Sequence, residues 1–136
     1  MLERLDLVRL QPRSVLDVGC GAGRGLLALK KRFASAELLG LDASAAMARV
    51  ARSALAAPAQ GLLARLRSAA AQPVARIAVA DAHALPLGDA SVDLIWSNLA
   101  LHWFEAPERA VAEWHRVARP EGLVHFSFFG VDTLAE

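Results

Sequence analysis

The sequence has few of the features that mark several protein classes. Cys20 is its only cysteine, which excludes an internal disulfide framework and indicates a cytoplasmic setting. Arg, Asp and Gly interrupt the apolar segments, so none approaches the roughly 18 consecutive apolar residues of a membrane span. The formal net charge of +1 gives no electrostatic case for nucleic acid. No His, Cys and acidic residues have metal-ligand spacing, so no metal is predicted.

Short apolar segments alternate with amphipathic helical segments along the chain. This alternation predicts an α/β fold, a parallel sheet with helices on both faces, in a single domain. The predicted strands are Ser14–Val18, Glu37–Leu41, Arg76–Ala80, Val92–Ser97 and Gly122–Phe129. The predicted helices are Leu2–Leu10, Arg24–Phe33, Ser44–Ala57 with an irregular continuation to Ala71, a turn near Leu99–Phe104, and Pro107–Arg116. In such folds the ligand lies outside the carboxyl ends of the strands.

The most informative segment is an apolar strand carrying Asp17 that leads directly into Gly19, Gly21 and Gly23. Alternate glycines expose the backbone, so a ligand can lie against it at the start of the next helix. The dinucleotide-binding pattern Gly-x-Gly-x-x-Gly fits only in part, because Arg24 stands where the third glycine belongs. Asp17 would repel a pyrophosphate, whereas it suits a cationic ligand end such as the α-amino and sulfonium groups of S-adenosylmethionine.

An acid, Asp42, ends the second predicted strand at a suitable distance from the glycines. Its carboxylate either accepts hydrogen bonds from both ribose hydroxyls of a nucleoside, which we favour, or caps the following helix. Ser44 is also suited to that cap. Met47, one helical turn later, either lies against an adenine ring or packs in the core.

Further polar residues follow the third and fourth strands. Asp81 either accepts a hydrogen bond from an adenine amino group, while the Ala82 N–H donates to a ring nitrogen, or is an exposed acidic residue of a turn. Considered without the other motifs, Asp81 is better explained by the turn. Asn98 directly follows the predicted fourth strand, at its carboxyl end. His102 is either a general base or, preferably, a structural histidine under the helix, and Trp103 is suited to wall a substrate pocket. No nucleophile motif is present.

These motifs resemble, in order and spacing, those of the class I S-adenosylmethionine-dependent methyltransferases. The resemblance is carried by Val15–Gly23, Leu39–Ser44 with Met47, Ala80–Leu87, Ser97–Phe104 and Arg119–Gly122. It implies a Rossmann-like sheet of strand order 3-2-1-4-5, with S-adenosylmethionine as cofactor and S-adenosylhomocysteine as product. The cofactor-binding residues that it implies are Asp17, Gly19, Cys20, Gly21, Gly23, Asp42, Ala43, Met47, Asp81, Ala82 and Asn98. The substrate would lie near His102 and Trp103.

A narrower resemblance connects the chain to the malonyl-acyl-carrier-protein O-methyltransferases of biotin synthesis. It is carried by Asn-Leu-Ala-Leu-His-Trp, by the segment from Pro-Glu-Arg-Ala to Arg-Pro-Glu-Gly, and by Phe-Ser-Phe-Phe-Gly-Val-Asp-Thr-Leu-Ala-Glu. It implies malonyl-acyl carrier protein or malonyl-CoA as acceptor and requires no general base, because a carboxylate is already a nucleophile. The same segments resemble a complex I assembly factor implicated in arginine hydroxylation, so a hydroxylase-like or partner-binding role is the alternative. A nicotinamide dehydrogenase is disfavoured by Asp17 and Arg24.

The sequence departs from that family after the fifth strand. The family continues with further helices and an antiparallel pair of strands, whereas this chain ends at Glu136. We therefore expect residues 1–136 to be an S-adenosylmethionine-binding domain that is short at its C-terminus. Leu123–Phe129 would then be an exposed edge strand through which the chain forms a homo-oligomer.

Overall fold

In the part of the chain that the structure describes, five parallel strands form one sheet in the order β3-β2-β1-β4-β5, which is the predicted order. The computed structural model describes residues 1–56, 75–130 and 133. The strands are β1 Ser14–Val18, β2 Glu37–Asp42, β3 Ala75–Val79, β4 Val92–Asn98 and β5 Ala118–Ser127. The central strand β1 lies between β2 and β4, so its carboxyl end faces the point where the strand order reverses.

Three α-helices and two short 3₁₀ helices connect the strands in the described part of the chain. They are α1 Arg24–Arg32, α2 Ala45–Ala56, α3 Pro107–Val117 and the 3₁₀ helices Leu2–Leu7 and Leu101–Trp103. The Met47 N–H donates to the Ser44 hydroxyl at 3.3 Å, which confirms the predicted cap of α2. Pro107 stands in the first turn of α3, where its missing N–H costs no hydrogen bond.

The helices cover both faces of the sheet because side chains alternate along each strand. Val15 of β1 packs with Leu26 and Leu29 of α1 on one face. Leu16 of β1 packs with Trp114 of α3 on the opposite face. Burial of these side chains on two sides accounts for the short, nearly continuous apolar strands in the sequence.

The first helix and the last strand differ from the predictions by several residues at one boundary. The first helix is a 3₁₀ helix that ends at Leu7, because Val8 takes an extended backbone conformation. Strand β5 begins at Ala118 instead of the predicted Gly122, because Ala118 pairs with Val92 and the residues between Ala118 and Leu123 form a bulge within the strand. The predicted continuation to Ala71 lies outside the described residues. None of the described helices has the length and apolar character that a membrane crossing requires.

Candidate functional site

A cavity of about 600 Å³ opens at the carboxyl ends of β1, β2 and β4. The structure brings most of the predicted site residues into its wall: Asp17, Gly19, Cys20, Gly21, Asp42, Ala43, Met47, Asn98 and Trp103. We call this space the main cavity. Its position is where ligands bind in open parallel sheets, outside the strand ends at the reversal of strand order.

A smaller cavity of about 320 Å³ lies beside the main one, and its wall includes Asp81 and Ala82. Gly19, Asp42 and Ala43 line both cavities, so the two spaces are neighbouring parts of one elongated cleft. Two predicted residues lie outside both cavities. A Cβ on Gly23 would lie 3.1 Å from Ala51 of α2, so this glycine allows close helix packing. The other residue, His102, is exposed.

The glycine turn places bare backbone against the main cavity. The N–H groups of Gly19 and Cys20 donate to the Leu41 carbonyl at 2.8 and 2.9 Å, which fixes the turn to the end of β2. Gly19 and Gly21 have φ values of +73° and +50°, in the left-handed region that favours glycine. A Cβ on Gly19 would collide with Ala100, whereas one on Gly21 would meet no atom within 4 Å. Gly19 is thus required by packing, and Gly21 leaves open space in the cleft.

Asp42 joins the glycine turn to the start of α2. Its Oδ2 accepts from the Gly21 N–H and its Oδ1 accepts from the Ser44 N–H, both at 2.8 Å. Each carboxylate oxygen can accept a second hydrogen bond, so the side chain remains able to bind hydroxyl groups in the cleft. Asp42 therefore bonds to the backbone at the start of α2 while it lines the cavity, and the two readings of the sequence are compatible.

Asp17 is a carboxyl group buried at the floor of the main cavity, with 2% of its surface exposed. No basic side chain in the described part of the chain forms an ion pair with it. Burial, and then the negative charge of Asp42, raise its pKa from 3.8 to about 7. A cation placed in the cavity would relieve both effects, because it would offset the lost hydration and the repulsion from Asp42.

Asp81 is held by His83, a residue that the sequence analysis missed. Asp81 Oδ1 accepts from the His83 backbone N–H at 2.9 Å and lies 2.7 Å from His83 Nδ1. These hydrogen bonds lower the pKa of Asp81. The Ala106 N–H donates to His83 Nε2 at 3.4 Å, so Nδ1 carries the proton and donates to Asp81. His83 thereby links the loop after β3 to the loop before α3. The Asp-x-His spacing was the signal for it.

Arg116 of α3 anchors the same loop from behind. Its guanidinium donates to the carbonyls of Leu85 and Leu87 and to Asp89, at 2.7 to 3.1 Å. The guanidinium of Arg116 also donates to both carboxylate oxygens of Glu113, and these hydrogen bonds lower the pKa of Glu113 to about 2. Glu113 in turn accepts from the Leu85 N–H. This network fixes the backbone that carries Asp81 to the helix layer.

The residues after β4 take different positions at the mouth of the cleft. Asn98 lines the main cavity and accepts a hydrogen bond from the Ser127 hydroxyl at 2.9 Å. Trp103 lines both cavities and is 80% exposed, so its ring forms an outer wall. His102 is exposed and lies against Phe129, with ring centroids 4.8 Å apart. The expectation of a structural histidine under the helix is therefore wrong. Met47 is 46% exposed and lines the cavity, so it does not pack in the core.

Cys20 is buried in the glycine turn as a thiol. Burial and the neighbouring carboxyl groups of Asp17 and Asp42 raise its pKa to about 12, so it carries no thiolate at neutral pH. Among residues 1–56 and 75–130, no three His, Cys, Asp or Glu side chains are grouped to hold a metal ion.

Several further residues of the main cavity were missed as site residues, and three of them are Trp96, Gly25 and Phe104. Trp96 is in the middle of β4, Gly25 is in the first turn of α1, and Phe104 follows the second 3₁₀ helix. A Cβ on Gly25 would lie 2.8 Å from Asp17 Oδ2 and 3.3 Å from Trp96 Nε1. Gly25 therefore keeps the floor of the cavity open, a role that only the assembled sheet defines.

Residues 16–126 match a known family whose description is methyltransferase domain. The chain belongs to this family. The matched region runs from within β1 to within β5 and includes every residue that lines the two cavities. The arrangement of the sheet, the glycine turn and the two following acids is therefore that of a methyltransferase domain.

Known relatives of this methyltransferase domain include proteins named malonyl-[acyl-carrier protein] O-methyltransferase. The chain is 41% identical over all its residues to that of Methylovorus sp. and 42% identical to that of Laribacter hongkongensis. It spans 43% and 44% of the lengths of these two proteins. A solved arsenic(III) S-adenosylmethionine methyltransferase of Chlamydomonas reinhardtii superposes with a TM-score of 0.72 at 28% identity. That match covers 85% of this chain and 38% of the other.

Proposed function

We propose that this methyltransferase domain binds S-adenosylmethionine in the cleft and transfers its methyl group. The observation that carries the proposal is Asp17, a buried carboxyl without an ionic partner among the described residues, at the floor of a cavity bounded by bare glycine backbone. Such a carboxyl is suited to a ligand with a cationic end, and the open space at Gly21 leaves room for that ligand. Family membership supports the same reading.

The cleft offers a place for each part of this ligand. Asp17 and the turn from Gly19 to Gly21, with Cys20 and Asn98 beside them, would hold the methionine end in the main cavity. Asp42 with Ala43 would bind the ribose hydroxyls at the junction of the two cavities. Met47 would contact the adenine, and Asp81 and Ala82 would bind its edge in the smaller cavity. Gly23 would act indirectly by setting the position of α2.

The proposed acceptor is the free carboxylate of a malonyl thioester, carried by acyl carrier protein or coenzyme A, as in biotin synthesis. When bound, S-adenosylmethionine supplies a methyl group on a positively charged sulfur. Trp103 and His102 at the cleft mouth would orient the acceptor for in-line approach. No side chain needs to remove a proton, because the acceptor carboxylate is ionised at neutral pH. The names of the two curated relatives support this acceptor. The setting that we propose is cytoplasmic.

The function is tested by incubating the chain, alone and within any longer protein that contains it, with S-adenosylmethionine and malonyl-acyl carrier protein. Mass spectrometry of the carrier protein is expected to show a gain of one methylene group. Acetyl-acyl carrier protein, which lacks the free carboxylate, is the matched control and should remain unchanged. A gain of one oxygen atom would instead indicate hydroxylation. Methylation of another acceptor alone would remove the malonyl assignment and keep methyl transfer.

We also expect the chain to self-associate through the outer edge of β5. Among the described strands β5 pairs only with β4, and Phe126 and Phe128 stack near its end with much of their surface exposed. Unpaired edges bearing apolar side chains favour pairing with another strand. Light scattering of the chain on the order of tens of micromolar should give a mass above that of a monomer. Phe126→Lys should reduce it, and a monomeric wild-type chain would contradict the expectation.

A further inference from the structure

A row of three polar side chains crosses the sheet face that α1 covers. Asp17 of β1 is in register with Trp96 of β4, and Trp96 is in register with His125 of β5. Residues in register on neighbouring parallel strands point to the same face. The row therefore begins at the buried carboxyl of the main cavity and continues under the core that Leu26 and Leu29 help to form.

Trp96 is the member of this row that brings an unpaired donor next to the cavity. Its surface is 2% exposed, and, like Nε2 of His125, its buried Nε1 has no hydrogen-bond partner among the described residues. An indole N–H is only a donor, and buried donors are normally paired because an unpaired one is costly. Trp96 is part of the wall of the main cavity, so this buried donor lies next to the space that a ligand would occupy.

The position of Gly25 shows how close this donor is to Asp17. A Cβ built on Gly25 would lie 2.8 Å from Asp17 Oδ2 and 3.3 Å from Trp96 Nε1. The same point in space therefore touches one anionic acceptor and one neutral donor. An acceptor and a donor at neighbouring positions match the ammonium and carboxylate groups of an α-amino acid.

We propose that Trp96 is a ligand-binding residue whose indole N–H donates to the α-carboxylate of the bound cofactor, while Asp17 accepts from the ammonium group. This inference rests on the proposed function and assigns the recognition of the amino-acid end within it. Nearby charges are compatible with it, since Arg24 lines the same cavity and Asp42 stands beyond the glycine turn.

His125 is the positioning residue for Trp96. The imidazole stacks on the indole with centroids 5.4 Å apart and an interplanar angle of 26°. This contact comes from the edge strand β5 and limits rotation of the indole, so that Nε1 stays beside Asp17.

The test compares Trp96→Phe with Trp114→Phe in the whole chain. Phenylalanine keeps most of the ring and removes the N–H. Trp114 is the matched control, because its Nε1 is also buried and has no partner in the described part of the chain, but lies in the core on the opposite face of the sheet. Calorimetry measures the affinity of each protein for S-adenosylmethionine and for decarboxylated S-adenosylmethionine, which lacks only the α-carboxylate.

Trp96→Phe should weaken binding of S-adenosylmethionine about tenfold or more and leave the decarboxylated ligand unaffected. Trp114→Phe should change neither affinity. Equal weakening of both ligands by Trp96→Phe, or no weakening, would overturn the role of Trp96 while leaving the cofactor assignment intact. A folded wild-type chain that binds neither ligand would overturn both proposals.

A spectroscopic measurement on the wild-type chain keeps the inference testable if Trp96→Phe does not fold. The sequence has three tryptophans, so three indole N–H signals are expected in a nitrogen-15 spectrum. Trp103→Phe and Trp114→Phe assign two of them, and the third belongs to Trp96. S-adenosylmethionine should move the Trp96 signal downfield, and the decarboxylated ligand should not. A Trp96 signal that responds equally to both would contradict the proposal.

Discussion

Asp17→Asn is expected to stabilise the unliganded protein by about 4 kcal/mol at pH 8 and to weaken binding of S-adenosylmethionine about tenfold or more. The two effects have opposite signs because one feature causes both. The carboxyl is buried next to Asp42 without an ionic partner in the described part of the chain, which is unfavourable until a cation arrives. Asparagine removes the buried charge and with it the attraction for the ligand.

The stability effect has a defined pH window. The pKa of Asp17 rises from 3.8 in the unfolded chain to about 7 in the folded protein. Between these values the folded state holds a proton that the unfolded state has lost, so stability falls as pH rises from about 4 to about 7. Asp17→Asn should therefore have the same free energy of unfolding as the wild-type chain at pH 4 and the largest excess over it above pH 7. Urea unfolding of both proteins at pH 4, 6 and 8 measures this difference.

Asp93→Asn is the matched control for this pH dependence, because its effect on stability is expected to have the opposite sign. Burial acts to raise the pKa of Asp93, but hydrogen bonds from Arg119, Ser14 and Arg13 outweigh it and lower the pKa to about 2. Loss of that carboxylate should destabilise the protein above about pH 4. If Asp17→Asn destabilised the protein at pH 8 as Asp93→Asn is expected to do, the proposal that the buried Asp17 carboxylate destabilises the folded state would be wrong.

The ligand side of the same prediction is a pH-dependent affinity. A cationic ligand end favours the ionised form of Asp17, so binding below pH 7 must release a proton. Affinity should rise by up to about tenfold for each pH unit toward 7 and then level off. In Asp17→Asn the dependence should vanish. An identical pH profile in both proteins would show that Asp17 does not meet the cationic group.

Gly19→Ala is expected mainly to lower the stability of the fold, whereas Gly21→Ala is expected mainly to weaken ligand binding. A Cβ at Gly19 would collide with Ala100 and would also sit at a φ of +73°. Left-handed backbone costs about 1–2 kcal/mol and overpacking about 1–3 kcal/mol, so we expect a loss of about 3 kcal/mol. At Gly21 a Cβ would meet no atom within 4 Å, so only the backbone cost of about 1 kcal/mol applies.

Gly19→Ala should lose more stability, but Gly21→Ala should lose more affinity for the ligand when both proteins are measured in the folded state. Gly21 lines the open part of the main cavity, so a methyl group there would occupy ligand space and weaken binding about tenfold or more. Thermal unfolding and calorimetry on the same samples compare the two properties. A Gly21→Ala protein that binds as tightly as the wild-type chain would place the ligand away from the glycine turn.

Local patterns were enough to predict the strand order and most of the cleft. Short apolar strands alternating with helices define the parallel sheet, and the carboxyl ends of β1, β2 and β4 then bring Asp17, Asp42 and Asn98 together. The two acids were identified because Asp17 interrupts an otherwise apolar strand and Asp42 stands at the end of another, where a polar side chain has no packing reason to be.

The remaining site residues depend on contacts between distant segments. Trp96 has the sequence context of a core residue, and only its register with Asp17 places its N–H beside the cavity. His83 accepts a hydrogen bond from the N–H of Ala106, 23 residues later in the chain, and no local sequence pattern predicts a contact over that separation. The start of β5 at Ala118 depends on a bulge opposite Val92, which a turn-like sequence conceals.

The measurement that tests the cofactor site most directly is calorimetric titration of this chain with S-adenosylhomocysteine, with NADH as a parallel ligand. Micromolar binding of S-adenosylhomocysteine, no binding of NADH, and a loss of about a hundredfold in Asp42→Ala are expected, since Asp42 is proposed to bind the ribose hydroxyls. Ser44→Ala, which removes only the neighbouring helix cap, should bind normally. A folded chain that binds NADH instead, or one whose affinity for S-adenosylhomocysteine is unchanged in Asp42→Ala, would contradict the assignment.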